Sequence, residues 1–145
     1  MIRRLFIALI LAALAPALAQ TSLQQSHIDG NVPPQESFAV LLKRDLLSFF
    51  QAANAPGATS AEYRLLRDAP TQSGVGFPKF YAWVKVLAGS TVIQEGAVRL
   101  AAVNRTHFEV TDFPSEQKVK TSPREIGNVF PAALVPTILE RAGVK

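Results

Sequence analysis

Apolar residues recur at spacings of three and four between residues 35 and 54, with charged and polar residues between them. The apolar positions are Phe38, Leu41, Leu42, Leu46, Phe49, Phe50 and Ala53, and the polar stripe carries Lys43, Arg44, Asp45 and Ser48. This spacing places the apolar side chains on one side of an α-helix. Pro34 suits the first turn, and Ala55-Pro56-Gly57 ends the pattern. The sequence therefore predicts an amphipathic helix over residues 35–54 that needs a large apolar partner.

From residue 61 the hydrophobic period changes to two, which is typical of half-buried strands. Strands are predicted over residues 61–67, 79–87, 92–103 and 107–113, with a Gly- and Pro-rich loop at 68–78. One face of this sheet carries Phe80, Ala82, Val84, Val86, Val98, Leu100, Ala102, Phe108 and Val110. This apolar face is the natural partner of the long helix.

The turn before the last strand can be derived from side-chain parity. A two-residue loop at Asn104-Arg105 would set Val110 opposite Arg99, whereas a three-residue loop sets Leu100 opposite Val110 and Arg99 opposite Thr111. A slip of one residue turns a whole apolar face to water, so a three-residue loop over residues 104–106 is predicted.

The final segment returns to a helical pattern. Ser122 stands three residues before Glu125 with Pro123 between them, which is the form of a helix N-cap. A first helix is predicted from Ser122 to Phe130, before Pro131. A second is predicted near residues 132–142, and Gly143 is its expected C-cap.

These elements predict an α+β fold: a long N-terminal helix on an antiparallel meander of three to four strands, followed by C-terminal helices. The element order over residues 35–113 resembles that of the cystatin and nuclear-transport-factor-2-like group, in which a curved sheet wraps a helix. Cystatins carry an inhibitory Gln-x-Val-x-Gly loop. Residues 94–98 here read Gln-Glu-Gly-Ala-Val and fall within a predicted strand. The resemblance therefore implies a fold and no functional residue.

The first 19 residues have the organisation of a secretory signal peptide. Arg3 and Arg4 precede an apolar run from Leu5 to Ala15, and a small-x-small box ends at Ala19. The run is short of the roughly 20 residues that span a bilayer. We predict cleavage after Ala19, an extended lead-in over residues 20–34, and one domain over residues 35–145 in the periplasm or outside the cell. No later stretch is apolar enough to span a membrane.

Composition and charge exclude several classes of function. The whole chain has a net charge of +4, and removal of Arg3 and Arg4 leaves 13 basic against 11 acidic residues, a net charge of +2. This small charge is not clustered in a stripe, so a nucleic-acid partner is not expected. The chain has no cysteine, which excludes thiol catalysis and thiolate metal sites. His27 and His107 are far apart and lack a partner at ligand spacing, so neither a metal nor a cofactor is predicted.

The second face of the predicted sheet carries the candidate binding residues, which are Tyr81, Trp83, Lys85, Glu95, Arg99, His107 and Glu109. Three interpretations are open. The face binds a protein partner, since Trp, Tyr and Arg dominate interface energetics. Alternatively, Trp83 and Tyr81 only cover the sheet locally, or the C-terminal helices pack there. The first interpretation requires Trp83 to be at least partly exposed.

The favoured hypothesis is a non-catalytic binding domain with a protein partner in the cell envelope, in an inhibitor, immunity or envelope-associated role. One alternative is a cone-shaped small-molecule binder or enzyme, with Asp112 and Tyr63 facing a cavity between helix and sheet and Asp112 as a general base. In the simpler interpretation, Asp112 only begins a turn at the strand end. A further alternative is a structural subunit of an envelope assembly. The oligomeric state is left open.

Overall fold

The computed structural model describes residues 30–73 and 76–145. The predicted signal peptide, the lead-in up to residue 29 and His27 lie outside the described residues. The helices are α1 (Gln35–Phe49), α2 (Glu116–Thr121) and α3 (Val135–Arg141). The strands are β1 (Ser60–Leu65), β2 (Lys79–Ala88), β3 (Thr91–Asn104) and β4 (His107–Asp112). A π-helical turn (Phe50–Asn54) extends α1, and two 3₁₀ helices (Pro123–Asn128 and Ala132–Leu134) lie between α2 and α3. This arrangement is an α+β fold, as predicted.

The long helix forms where the sequence pattern places it, because α1 and its π-helical turn together cover residues 35–54. Leu42, Leu46 and Phe50 are fully buried on its inner side. Asp45 is also buried, although the spacing predicts it in the polar stripe. That prediction is wrong, because Asp45 lies between Leu42 and Leu46 at the border of the apolar side and is held there by hydrogen bonds.

The four strands form one antiparallel sheet in the order β1-β2-β3-β4. Phe80 lies opposite Leu100, Ala82 opposite Val98 and Ala102 opposite Phe108. These residues form one core with the inner side of α1, to which Ala61, Val84 and Val86 also belong. The predicted division of the strands into two faces is therefore confirmed up to Val110.

The turn between β3 and β4 differs from the prediction. Asn104 pairs with His107 across Arg105 and Thr106, and the register shifts between Ala102 and Asn104. The Asn104 Oδ1 atom accepts the Thr106 amide at 2.8 Å, so the side chain stabilises a tighter turn than parity alone suggested. The bulge restores the core pairing of Leu100 with Val110, which is the pairing expected from parity.

The C-terminal region begins earlier than the sequence suggested. Ser115, rather than Ser122, caps a helix with its side chain, because its Oγ atom accepts the Lys118 amide at 3.1 Å. The Ser122 side chain makes no such bond to the helix that follows it and accepts instead from the Lys118 Nζ atom. The segment after Pro123 is 3₁₀-helical, and Gly143 ends α3 with a φ of 74°. In this left-handed region glycine has no steric cost.

The C-terminal segments cover the second face of the sheet. They contribute Val119, Ile126, Phe130, Leu134, Ile138 and Ala142 to a second core, which they form with Tyr81, Trp83 and Ala97. The sheet is therefore covered on both faces, by α1 on one and by the C-terminal segments on the other.

Candidate functional site

The two aromatic residues of the predicted binding face are internal. Trp83 is 4% exposed and Tyr81 5% exposed, and both belong to the core beneath the C-terminal segments. The expectation that Trp83 is accessible is wrong, because the apolar sides of α2, α3 and the 3₁₀ helices pack on it. Of the three interpretations of this face, the structure supports packing by the C-terminal helices.

Two charged members of that face, Lys85 and Glu95, lie beside Trp83. The Trp83 indole N–H donates to the Glu95 Oε1 atom at 2.7 Å, and the Lys85 Nζ atom lies 3.9 Å from the same oxygen. Lys85 is exposed and Glu95 is half-buried. The carboxylate thereby satisfies a buried donor that would otherwise cost free energy on folding.

Asp112 lies on the opposite side of the sheet from the predicted cavity. β4 is bulged at Thr111, so Asp112 rather than Thr111 pairs with Arg99, and its Oδ2 atom accepts the Arg99 Nε at 2.7 Å. The Arg99 NH1 group also donates to the Val129 carbonyl at 3.3 Å. The extra residue at Thr111 reverses the parity of Asp112, so its side chain does not face the side of the sheet that α1 covers. Arg99, which is paired with Asp112, joins the C-terminal segment at Val129 to the sheet.

Aromatic rings occupy the space between α1 and the sheet, where the cone-shaped alternative requires a cavity. The Phe38 ring lies 5.1 Å from those of Phe80 and Phe108, edge to face in both cases. Tyr63 does lie on this side, packed against the core, and its burial raises the pKa of the phenol above its ordinary value of 10.0. Tyr63 does not meet Asp112 there, so the constellation proposed for general-base catalysis is not assembled.

His107 and Glu109 are exposed on β4, as the sequence predicted. His107 is joined to a residue that the sequence analysis missed, because its Nδ1 atom lies 3.4 Å from the Asp45 Oδ2 atom. The same Asp45 oxygen accepts the Phe108 amide at 2.7 Å, and Asp45 Oδ1 lies 2.8 Å from Arg44. No signal in the sequence separates Asp45 from the neighbouring charges. This carboxylate fastens α1 to β4, which is a structural role.

The described residues contain no group of three or more His, Asp or Glu side chains placed to hold a metal ion. Over residues 30–73 and 76–145, no helix has the length and apolar character needed to cross a bilayer.

The remaining candidate site lies at the first half of β3. This strand has 14 residues, but β4 pairs with it only over Arg99–Asn104, and a bridge joins Gly96 to Ser115. In the described part of the chain, no strand lies beside Thr91–Glu95 on the β4 side. The predicted strand lengths already contained this signal, since residues 92–103 exceed residues 107–113 in number.

The chain leaves the line of β4 at a close contact with Gly96. A Cβ atom on Gly96 would lie 2.4 Å from the Pro114 carbonyl oxygen and 2.8 Å from the Ser115 Cα, so only glycine fits here. Ser115 then begins α2, and the chain crosses to the Trp83 face. The position in which β4 would have continued is left open.

A groove of about 460 Å³ occupies that position, and we call it the β3 groove. It is lined by Val92, Ile93, Gln94, Glu95, Ser115, Glu116, Gln117 and Lys120. Val92 is 45% exposed and Ile93 39% exposed, which is high for large apolar side chains. The Ala97 amide donates toward this side, to the Pro114 carbonyl at 3.1 Å. Because backbone groups alternate along an antiparallel strand, the amide and carbonyl of Glu95 point toward the groove.

Comparisons with known proteins identify no relative. No family model matches the chain, and no curated protein or solved structure matches it. Function is therefore inferred from the geometry of the described residues.

Proposed function

We propose that this chain is a non-catalytic binding domain that captures an extended segment of a partner protein along the β3 groove. One observation carries the proposal: the first half of β3 is unpaired on the β4 side, within the described residues, and is flanked by the exposed side chains of Val92 and Ile93. An unpaired strand edge next to apolar side chains is a template for strand addition.

The chemistry of the groove suits a polypeptide. The Glu95 backbone offers one donor and one acceptor to an added strand, and Val92 and Ile93 offer an apolar surface to its side chains. In strand addition the main-chain bonds supply affinity and the side-chain contacts supply specificity. An added strand would continue the line of β4 past Ser115.

The length of the open edge favours a peptide segment over a folded partner domain. Residues 91–95 span at most about 17 Å at 3.4 Å per residue, and the strand is bulged at Ile93, so regular pairing with an added strand is limited to the residues around Glu95. A stable interface between folded domains buries about 800 Å² on each partner, which is more than so short a strand supplies. A linear segment of about four to six residues matches the groove in length.

The proposed location of the protein follows from its N-terminus. Cleavage of the N-terminal signal after Ala19 would deliver residues 20–145 to the periplasm or the cell exterior, where an envelope protein is the natural partner. The intact mass of the exported chain tests this, with Gln20 as the expected first residue. The helix packed on an antiparallel sheet is compatible with an α+β fold, and its element order resembles that of the cystatin and nuclear-transport-factor-2-like group.

Selection from a displayed library of random peptides tests the binding site directly, because it requires no identified partner. We expect the selected peptides to bind residues 20–145 and to lose at least about tenfold in affinity with Val92→Glu/Ile93→Glu, because charge replaces the apolar surface of the groove. Backbone amide exchange at Glu95 should slow when the peptide binds, because its N–H gains an acceptor.

Val40→Glu is the matched control, since Val40 is an exposed valine (70%) on α1, which lies on the other face of the sheet. It changes the surface in the same way as the groove variants and should bind the selected peptides as the wild type does. A library that yields no binder, or peptides that bind the groove variants and the wild type equally, would contradict the proposal.

A further inference from the structure

The two edges of the sheet differ in how they are protected. On the β4 edge, the pairing with β3 shifts at two places, and the Asp45 carboxylate accepts the outward-facing Phe108 amide. On the β1 edge, all six residues from Ser60 to Leu65 pair with β2 in unbroken register. Bulges, charges that cap the edge and proline are the usual means of blocking edge pairing. β1 has no bulge and no proline.

The backbone groups on the free side of β1 can be assigned from one hydrogen bond. The Leu66 amide donates to the Tyr81 carbonyl at 2.8 Å, so the amide of Leu66 points toward β2. Alternation along the strand then directs Glu62 and Arg64 toward β2, and Ala61, Tyr63 and Leu65 toward the free edge. The strand order places β1 at the end of the sheet. Three alternate residues on this edge therefore offer a donor and an acceptor each.

The side chains of β1 carry a self-complementary charge pattern. Glu62 and Arg64 are exposed, on either side of Tyr63. Neither side chain forms an ion pair with another residue in the described part of the chain. An antiparallel pairing of β1 with a second copy, centred on Tyr63, sets Glu62 of each copy opposite Arg64 of the other. Opposite charges that face each other across strands stabilise the pair, and like charges destabilise it.

We propose that two copies of this chain associate through β1, antiparallel and centred on Tyr63, so that their sheets join into one of eight strands. Tyr63 pairs with Tyr63 of the second copy through two backbone hydrogen bonds. Glu62 and Arg64 then occupy a non-hydrogen-bonded position, where facing side chains approach most closely. The occupant is a second copy because the Glu62–Arg64 pattern is complementary to itself, so the symmetric pairing places each charge of one copy opposite an opposite charge of the other.

The expected dimer is weak. Six residues per copy bury less surface than a standard interface, so association depends on concentration. The interface uses the opposite edge of the sheet from the β3 groove, and it does not rest on the proposed peptide binding.

Sedimentation velocity of residues 20–145, from about 10 µM to 1 mM, tests the proposal. We expect wild-type dimers to accumulate over this range. In a dimer of Glu62→Arg chains arginine faces arginine at both cross-strand pairs, and in a dimer of Arg64→Glu chains glutamate faces glutamate. Each variant alone should dimerise at least about tenfold more weakly, because two favourable pairs become repulsive.

Mixing the two variants gives the decisive result. The Glu62→Arg chain carries arginine at both positions, and the Arg64→Glu chain carries glutamate at both. When one faces the other, both cross-strand pairs are attractive again, so a heterodimer should form.

Glu109→Arg on β4 and Arg105→Glu in the β3–β4 turn are matched controls, which alter the net charge equally and should dimerise as the wild type does. A wild type that stays monomeric at about 1 mM would overturn the proposal. So would single variants that dimerise normally, or a mixture that shows no heterodimer.

Discussion

The two faces of the sheet are closed in different ways. One continuous helix, α1, closes the first face, where Phe38, Phe80 and Phe108 meet edge to face. Several short segments close the second face, and Arg99, which is paired with Asp112 on the sheet, donates a hydrogen bond to the Val129 carbonyl of one of them. In a long amphipathic helix, one repeating spacing of apolar residues is enough to define the side that packs on the sheet. Short segments specify theirs only when chain crossings and individual hydrogen bonds bring them together.

The largest expected difference between the faces comes from truncating a central side chain on each. Phe108→Ala should reduce the free energy of unfolding by about 4 kcal/mol, because the Phe38 and Phe80 rings on rigid elements cannot fill the cavity. Ile138→Ala on the second face should cost about 2 to 3 kcal/mol, since short segments can collapse around the gap.

Urea unfolding, followed by the fluorescence of the single tryptophan, Trp83, and by circular dichroism, measures both variants. If Ile138→Ala costs as much as Phe108→Ala, the second face is no less rigid than the first.

The next effect concerns the point at which the chain passes from one face to the other. Gly96→Ala should cost about 2 to 3 kcal/mol, because its Cβ would overlap the Pro114 and Ser115 backbone and no flexible side chain can yield. Gly57→Ala is the control, since a Cβ there meets no atom within 4 Å. Equal midpoints of thermal unfolding for the two variants would show that the crossing tolerates displacement.

A smaller effect is expected from the hydrogen bond between Trp83 and Glu95 on the second face of the sheet. Trp83→Phe should cost about 1 to 2 kcal/mol, because it fills most of the same space but leaves the half-buried Glu95 without its indole donor. Glu95→Gln keeps a carbonyl acceptor for the indole and should cost less. Circular dichroism in urea measures both. A Glu95→Gln variant less stable than Trp83→Phe would assign the contribution to Lys85 instead.

The smallest expected effect is a loss of stability at alkaline pH, and it concerns Tyr63 on the first face of the sheet. Burial raises the pKa of Tyr63 above 10.0, so the folded state favours the protonated phenol. The stability that this contributes is fully present below about pH 10 and is lost as the pH rises through the folded-state pKa. The stability of the wild type relative to Tyr63→Phe should therefore fall as the pH rises above about 10. Urea titrations at dilute protein check this, and a constant difference would place Tyr63 in a more solvated site.

The sequence predicted the regular part of the fold closely, because its elements follow simple periods. Helix α1 with its π-helical turn, the four strands and the two faces from Phe80 to Val110 were all identified by spacing. The misplaced residues are those whose position depends on one local contact. Asn104 tightens a turn, Thr111 is bulged and reverses Asp112, and Ser115 rather than Ser122 caps a helix. Of the candidate site, the sequence predicted the unequal strand lengths but not what lies beside the open end of β3.

The periodicity of this chain by itself determined that an amphipathic helix lies on one side of an antiparallel meander. The apolar side of the helix must be buried, and the apolar face of the sheet is the surface large enough to bury it. Only the tertiary structure decided that Trp83 is internal and that Val92 and Ile93 are not. The reason is physical: alternation states which residues share a face, but both faces of a sheet can be covered. Which residues of the sheet are exposed to solvent depends on where the chain crosses the sheet, beside Gly96. It does not depend on the pattern within any strand.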